Sequence, residues 1–284
     1  MKSLQRLWSF WESFWLKPLD SRIIQIYSKI FAGILILLYS QRFLNLEFYN
    51  EKSILPDGRE LELIDSALRP LWSWHWWPDS WAFFANLAFI GLCFLILIGK
   101  APRPVALMAW FLHMGFMHRN WAAGMGVDTM VSVFLFYLSF VDLKANRGGD
   151  LLSRVMIRMS QVHLSVIYFY TGIEKFRGVS WWEGTALWTT FSNPQMTLFD
   201  LSWTHHFPLM IAVLTHVTVL FELMFLPLVW NSRTRFLILA MGLFFHLGIA
   251  LFLGLWAFAA VMLVQYVLFL NNQVAKGESK DQLL

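Results

Sequence analysis

Residues 168–187, with the sequence YFYTGIEKFRGVSWWEGTAL, place charged side chains among aromatic ones directly after a long apolar segment. The charged residues are Glu174, Lys175, Arg177 and Glu183. A lysine that is desolvated among aromatic side chains loses its proton more readily and can act as a general base. A lysine at the end of a membrane helix can also extend its ammonium group to the lipid head groups, with Glu174 as its partner. Both interpretations of Lys175 are open on the local sequence alone.

A polar stripe leads up to this lysine. Gln161, Ser165, Tyr168, Gly172 and Lys175 follow one another at alternating steps of four and three residues. This spacing places side chains on one face of a helix. Such a stripe either lines a cavity or forms hydrogen bonds with a neighbouring helix.

Further ionisable side chains lie in apolar segments nearer the C-terminus: His216, Glu222 and His246. They could bind a metal, relay protons or hydrogen-bond the helices to one another. The chain contains no H-E-x-x-H or E-x-x-H pair, so we expect no metal site. Glu222 is costly in a membrane unless it is protonated or paired, and we expect His246 to be its partner.

A second polar segment, HMGFMHRNWAAGMGVDTM at 113–130, separates two short apolar stretches. Its side chains His118, Asn120 and Asp128 form either a polar turn or the second wall of an outward-facing pocket. In the second case, Asp128 and His118 would be available to Lys175.

The composition of the chain indicates that these polar side chains belong to a membrane protein. The chain is 58% hydrophobic and 14% charged, whereas soluble domains are about half apolar and about a quarter charged. This predicts an all-α integral membrane protein, a polytopic helix bundle. The formal charge of +4 fits basic cytoplasmic loops and does not indicate a nucleic-acid partner. Cys93 is the single cysteine, which excludes an intrachain disulfide and a cysteine-rich metal site.

Apolar periodicity predicts about eight transmembrane helices. Their approximate ranges are 23–43, 81–99, 104–119, 127–143, 154–173, 206–230, 235–252 and 254–270. The third and fourth are short for a span, and the last two should form a tight hairpin.

The N-terminal segment differs from these spans, because Trp8, Trp11 and Trp15 recur at helical spacing between basic residues. This predicts an amphipathic interfacial helix over 1–20, the alternative being an irregular anchor. After this helix we expect a transmembrane domain over 21–272 and a polar cytoplasmic tail over 273–284.

Loop charges predict the orientation. Basic residues cluster before the first span, after every second span and in the tail, which assigns that side and both termini to the cytoplasm. The acidic 44–80 loop and Lys175 then face outward, which is the periplasm if the protein lies in a bacterial inner membrane.

The stretch IYFYTGIEKFRGVSWWEGTAL, at 167–187, resembles a motif of the HTTM (horizontally transferred transmembrane) domain, Y-x-x-[AS]-G-[LIV]-x-K-[LF] followed by W-x-x-G. This domain is shared by vitamin K-dependent γ-carboxylases and many bacterial proteins. Other parts of the chain match parts of this domain in the same order. They are Arg22, FYNEKSILPDG, HRNWAAGMGVD, the region of Glu222 and SRTR…GLFFHLGIA. The resemblance covers roughly residues 20–270.

The resemblance implies an enzyme of lyase or oxidoreductase type. In the carboxylase a lysine, here matched by Lys175, deprotonates vitamin K hydroquinone; oxygen converts the quinol to an epoxide, and the resulting base enables carboxylation of a peptide glutamate. The implied cofactor is vitamin K hydroquinone or menaquinol. His118 is the nearest counterpart of an assisting histidine, and Glu183 would complete the catalytic set. The expected substrate-binding residues are Gln161, Tyr168, Gly172, Asn120, Asp128, Trp182, Glu222 and His246.

Two departures limit this comparison. The animal carboxylase has a large lumenal domain after its spans, and this chain shows no counterpart, so propeptide-guided carboxylation is not expected. Glu174 stands where the carboxylase has a second lysine.

Besides lipid, a quinol and a peptide substrate are therefore the expected partners. The alternative function is a non-enzymatic membrane factor for maturation, export or immunity of a secreted peptide, with the aromatic loop 65–81 as its contact surface. A transporter is less favoured, because the sequence has no inverted repeat and no paired broken helices.

Overall fold

The computed structural model describes residues 2–49, 66, 80–119, 126–143 and 150–272. The regular structure of these residues is entirely helical, which confirms the all-α prediction for them. Asn120, most of the aromatic loop 65–81 and the tail 273–284 lie outside the described residues. The chain divides into two compact units, Met1–Met159 and Ser160–Leu284.

The first unit consists of helices that pack in sequence order. Its elements are α1 (Lys2–Leu16), α2 (Ser21–Arg42), a 3-10 helix (Phe43–Tyr49), α3 (Trp81–Leu97), α4 (Arg103–Arg119), α5 (Gly126–Ser139) and the beginning of α6 (Leu151–Arg177). Helix α2 packs on α3, α3 on α4, and α4 on α5. Asp20 caps α2, since its carboxylate accepts a hydrogen bond from Arg22 N.

The second unit contains the remainder of α6 and the helices that follow it. These are α7 (Val179–Trp182), α8 (Ala186–Phe191), a 3-10 helix (Ser202–His206), α9 (Pro208–Val229), α10 (Arg235–Leu253) and α11 (Trp256–Gln265), which continues as a 3-10 helix (Tyr266–Asn272). Helices α10 and α11 form the predicted tight hairpin. Gly254 connects them at φ +70°, a left-handed conformation that glycine adopts without steric cost.

Each of the eight predicted apolar segments coincides with a helix, but the number of spans is not confirmed. Within the described ranges, three helices are long and apolar enough to cross a membrane: Ser21–Leu46, Pro208–Val229 and Arg235–Leu253. Three shorter apolar helices are Trp81–Leu97, Gly126–Ser139 and Trp256–Leu270. The shorter helices fall below the roughly 20 residues that a perpendicular span requires.

The predicted N-terminal helix is present as α1, and it is held by the beginning of α6. Arg154 donates a hydrogen bond to the carbonyl oxygen of Leu16 at 2.9 Å, and the Arg158 guanidinium lies 5.2 Å from the ring centroid of Phe14. Trp8 and Trp11 are 63% and 57% exposed. A helix that exposes tryptophans beside basic residues suits a membrane interface, and this location stays a prediction.

An ion pair connects the start of α4 with the start of α6. Arg103 Nη2 lies 2.6 and 2.5 Å from the two carboxylate oxygens of Asp150, and Ser153 Oγ donates a hydrogen bond to the same carboxylate. These interactions, with the hydrogen bond from Arg103 the largest, lower the pKa of Asp150 to about 2. The pair lies at a turn that the charge pattern assigns to the cytoplasmic side.

This pKa predicts a pH-dependent contribution to stability. The folded-state pKa of Asp150 lies below the unfolded value of about 3.9, so the pair stabilises the fold at neutral pH and the contribution is lost as the pH falls from about 4 towards about 2. We expect Asp150→Asn to unfold at a lower temperature than the wild type at pH 6, and this difference to vanish near pH 2. The effect is small, because the Asp150 side chain is 48% exposed and water screens the pair.

Thermal unfolding in detergent at a series of pH values measures this difference. In an Arg103→Gln background, Asp150→Asn should have much less effect at any pH. A wild-type advantage that persists unchanged to pH 2 would contradict the assignment.

Candidate functional site

The polar stripe of α6 is a buried face of that helix. Gln161, Ser165 and Tyr168 are all at most 2% exposed. Gln161 Nε2 donates to the carbonyl oxygen of Leu268 at 2.7 Å, whereas Ser165 Oγ bonds back to Gln161 O in its own helix. The stripe therefore forms hydrogen bonds with a neighbouring segment, which is the second of the two alternatives that its spacing allowed.

Gly172 brings α6 into close contact with α9. A Cβ atom added to Gly172 would lie 2.9 Å from Leu223 N and 3.1 Å from Glu222 Cβ. Only glycine permits this approach of the two backbones, as at other close helix crossings in membranes. Gly172 thus sets the distance between α6 and the carboxylate of Glu222, and its predicted role in substrate binding stays a prediction.

Lys175 and Glu222 form an ion pair across α6 and α9. The ammonium nitrogen Nζ lies 2.9 Å from Oε1 and 2.8 Å from Oε2 of Glu222, so both carboxylate oxygens face it. The side chain of Glu222 is 5% exposed and that of Lys175 is 24% exposed. The pair is therefore closed towards the protein and accessible from the side of the lysine.

One expected partner from the sequence analysis is wrong, and so is the partner named in one of the two alternatives for Lys175. His246 is not the partner of Glu222, because the carboxylate bonds to Lys175 and the imidazole bonds to Tyr168. Glu174 is not the partner of Lys175 either, since it forms an exposed ion pair with Arg177 at 3.4 Å. Adjacent residues on a helix point about 100° apart, so the neighbour in sequence is not the neighbour in space.

Aromatic side chains cover the exposed side of the pair. Lys175 Nζ lies 5.4 Å from the centroid of the Trp181 ring, within the range of a cation–π interaction. Trp182 is exposed, and its Nε1 donates to the carbonyl oxygen of Phe176 at 2.6 Å. Glu183, the predicted catalytic neighbour, is exposed at the C-terminal cap of α7, and its role stays a prediction.

A buried hydrogen-bonded cluster lies deeper in the same unit. Tyr168 Oη is 2.6 Å from His246 Nε2 and 2.7 Å from Tyr266 Oη. Tyr266 Oη packs against Gly242, where an added Cβ would lie 2.0 Å from it. The sequence analysis singled out Tyr168 and His246 and missed Tyr266, although a hydroxyl-bearing side chain in an apolar segment is a signal that a partner is needed.

The first unit holds a separate polar cluster. Asp128 pairs with Arg42 at the end of α2, and its carbonyl oxygen lies 2.9 Å from His113 Nε2. His113 Nδ1 lies 2.7 Å from Tyr39 Oη. Because a carbonyl oxygen can only accept, Nε2 donates to it, and the tyrosine hydroxyl lies within hydrogen-bond distance of the other ring nitrogen. Arg42 was not identified from the sequence as a partner of Asp128.

The carboxylate of Asp128 binds the guanidinium of Arg42, and its predicted role beside Lys175 stays a prediction. His118 is half-buried in the last turns of α4, and its predicted catalytic role stays a prediction. Among the described residues of the second unit, Lys175 and Glu222 are therefore the candidate reactive pair.

This pair can hold or move one proton and can stabilise an oxygen anion. An ammonium group beside a carboxylate in a poorly solvated site can also exist as the neutral amine and carboxylic acid, with the proton transferred across one hydrogen bond. The neutral amine is a base, and the ammonium group binds the anion that a deprotonated hydroxyl becomes.

Comparison with known proteins agrees with this membrane architecture. The HTTM domain matches residues 144–273. Sporulation-delaying protein SdpB of Bacillus subtilis (strain 168) is 23% identical over 195 residues, which are 62% of this chain and 60% of the relative. The chain thus spans less than two thirds of the length of this curated relative. No solved structure matches the chain significantly. The long apolar helices and this match together fit a membrane protein whose residues 144–273 are similar to the HTTM domain.

Proposed function

We propose that this protein is an integral membrane enzyme that deprotonates a quinol or another lipid-soluble substrate, with Lys175 as the base. The observation that carries the proposal is the geometry of the Lys175–Glu222 pair. Its carboxylate is buried, its amine is accessible, and both oxygens of Glu222 lie within hydrogen-bond distance of Nζ. A lysine that only extended towards lipid head groups would not need a buried carboxylate on another helix.

The reaction step begins from the neutral form of the pair. The O–H bond of the substrate breaks, an N–H bond forms at Lys175, and the electron pair remains on the substrate oxygen. The new ammonium group then lies beside the oxygen anion and stabilises it. Glu222 retains the shared proton on one oxygen, and its other oxygen accepts a hydrogen bond from Nζ and keeps the ammonium group in place.

The side chains around the pair support an aromatic, lipid-soluble substrate. Phe176, Val179 and Trp182 are 47%, 69% and 58% exposed. Phe176 directly follows Lys175 near the end of α6, and Val179 and Trp182 form the two ends of α7. Exposed apolar side chains next to one ionisable pair suit a ring that carries a hydroxyl group. A quinol such as menaquinol or vitamin K hydroquinone has this chemistry.

We expect purified protein in nanodiscs to convert a reduced quinol under oxygen, with the epoxide detected by mass spectrometry. Lys175→Met should reduce the rate by about 100-fold or more, the usual contribution of a general base. Glu174→Gln is the matched control, because Glu174 is adjacent in sequence but pairs with exposed Arg177, and it should retain activity. An unchanged rate for a folded Lys175→Met protein would refute the proposed role.

The name of the relative, a sporulation-delaying protein, does not describe a chemical reaction. It therefore motivates a second candidate function that is not enzymatic. In that case the protein acts on a partner, as a non-enzymatic membrane factor for a secreted peptide. Exposed apolar residues of the 176–209 segment, such as Trp182, Phe199 and Trp203, would then form the contact surface. Polar replacements there would impair function while Lys175→Met would not, which is the reverse of the pattern expected for the enzyme.

A further inference from the structure

Helix α3 ends in a glycine turn that leads directly to a lysine. The amide of Gly99 donates to the carbonyl oxygen of Ile96, and the amide of Lys100 donates to that of Leu95, both at 3.0 Å. Gly99 has a φ of +70°, so the turn is a Schellman motif with glycine in the left-handed position. The motif ends α3 at a defined residue and places Lys100 immediately beyond it.

A second lysine reaches the same turn from α2. A Cβ atom added to Gly99 would lie 3.9 Å from Cε of Lys29, the atom that carries the ammonium group. Consecutive Cα atoms are about 3.8 Å apart, so the end of the Lys29 side chain lies beside the residue that precedes Lys100. Both lysines are exposed. Two positive charges from different helices are therefore placed at one end of α3.

The positive charge at this turn exceeds the negative charge that the structure places beside it. The carboxyl end of a helix carries about half a negative charge, which is less than the two positive charges of Lys29 and Lys100. The ion pairs between described residues include neither lysine. Asp150 binds Arg103, the next basic residue after Lys100. The turn thus keeps a net positive charge that an anion can neutralise.

The surface beside the two lysines is apolar. Exposed side chains lie within about one helical turn of Lys29 or of Gly99 along α2 and α3, namely Ile26, Ile30, Leu95 and Ile98. The two helices pack against each other. Exposed apolar side chains next to ammonium groups suit a molecule that has both an anionic head and hydrocarbon chains. A free inorganic anion would make no use of them.

We propose that Lys29 and Lys100 bind the phosphate of an anionic phospholipid, whose acyl chains lie against the exposed apolar side chains of α2 and α3. The loop charges predict that this end of α3 faces the cytoplasm, and basic side chains near that surface attract acidic lipid head groups. Both lysines belong to the first unit. The inference is therefore independent of the Lys175–Glu222 pair and of the proposed function.

Native mass spectrometry of the full-length protein in detergent tests the proposal. The probes are phosphatidylglycerol and phosphatidylcholine with the same acyl chains; the second lipid also has a phosphate, but its choline group cancels the negative charge. We expect the wild type to bind the first phosphatidylglycerol molecule about 25-fold more tightly than phosphatidylcholine, because one lysine near an acidic head group contributes about fivefold. Each single Lys→Gln variant should lose about fivefold, and Lys29→Gln/Lys100→Gln should lose the preference.

Two further variants separate the site from general effects of charge and packing. Lys29→Arg/Lys100→Arg keeps both charges and should keep the preference. The matched control is Arg233→Gln, at an exposed basic residue of a turn that the loop charges assign to the same side; it should behave like the wild type. An equal loss in this control, or an undiminished preference in Lys29→Gln/Lys100→Gln, would overturn the proposal.

A competition experiment distinguishes a lipid from a free phosphate. Inorganic phosphate added in excess should not displace the bound phosphatidylglycerol, because it makes no contact with the apolar side chains. Displacement by inorganic phosphate would identify a site for free anions and would contradict the proposed lipid site. Equal binding of the two lipids by the wild type would contradict it as well.

Discussion

Replacing Lys175 with methionine is expected to lower the free energy of unfolding by about 2–3 kcal/mol, because it leaves a buried carboxylate without its partner. Glu222 is 5% exposed, and both of its oxygens face the lysine. Breaking a buried ion pair on one side costs more than removing both partners, since the remaining charge keeps its desolvation penalty. The reciprocal variant Glu222→Met should cost less, because Lys175 is 24% exposed and can reach a polar environment.

A double-mutant cycle measures the interaction between the two side chains. It compares the free energies of unfolding, in a mild detergent, of the two single variants and of Lys175→Met/Glu222→Met. We expect the double variant to recover most of the stability that Lys175→Met loses, and Glu174→Gln to remain close to the wild type. Additive losses in the double variant would show that the two side chains do not interact.

This result determines how the activity of Lys175 variants is interpreted. A Lys175→Met protein that is inactive because it unfolds says nothing about a base. The double variant separates the two effects, because it should be folded and should still lack the amine. Quinol turnover by the folded double variant would therefore be incompatible with Lys175 as the base.

Replacing Gly172 with alanine is the second change for which we expect a large effect. The added Cβ would lie 2.9 Å from the backbone nitrogen of Leu223 and 3.1 Å from Glu222 Cβ. Backbone atoms cannot rotate away as side chains do, so α6 and α9 must separate. We expect a loss of about 1–3 kcal/mol in stability, typical of overpacking, together with weaker pairing of Lys175 and Glu222.

Gly33 in α2 is the matched control, because an added Cβ there meets nothing within 4 Å. Gly33→Ala should leave stability unchanged or raise it by up to about 1 kcal/mol, the helix preference for alanine over glycine. The comparison uses the same thermal unfolding experiment. Equal effects at the two glycines would show that α6 and α9 do not approach closely at Gly172.

The amino-acid sequence by itself determined the local features of this protein. Hydropathy indicated a membrane protein, and each of the eight segments with apolar periodicity coincides with a helix. The four-and-three spacing from Gln161 to Lys175 identified the buried face of α6, because side-chain direction along a helix depends only on residue number. The motif around Lys175 identified the HTTM domain that the comparison then found over residues 144–273.

The pairing of side chains on different helices was decided by the tertiary structure alone. Glu222 bonds to Lys175 and not to His246, Arg42 bonds to Asp128, and Tyr266 joins Tyr168. These partners are distant in sequence, and each pair depends on the rotation and axial shift of one helix against another. Hydropathy and spacing carry no information about those two quantities, since every apolar face can pack in several registers with nearly equal burial. Close contacts such as that of Gly172 with Leu223 select the register and so position the amine beside its carboxylate.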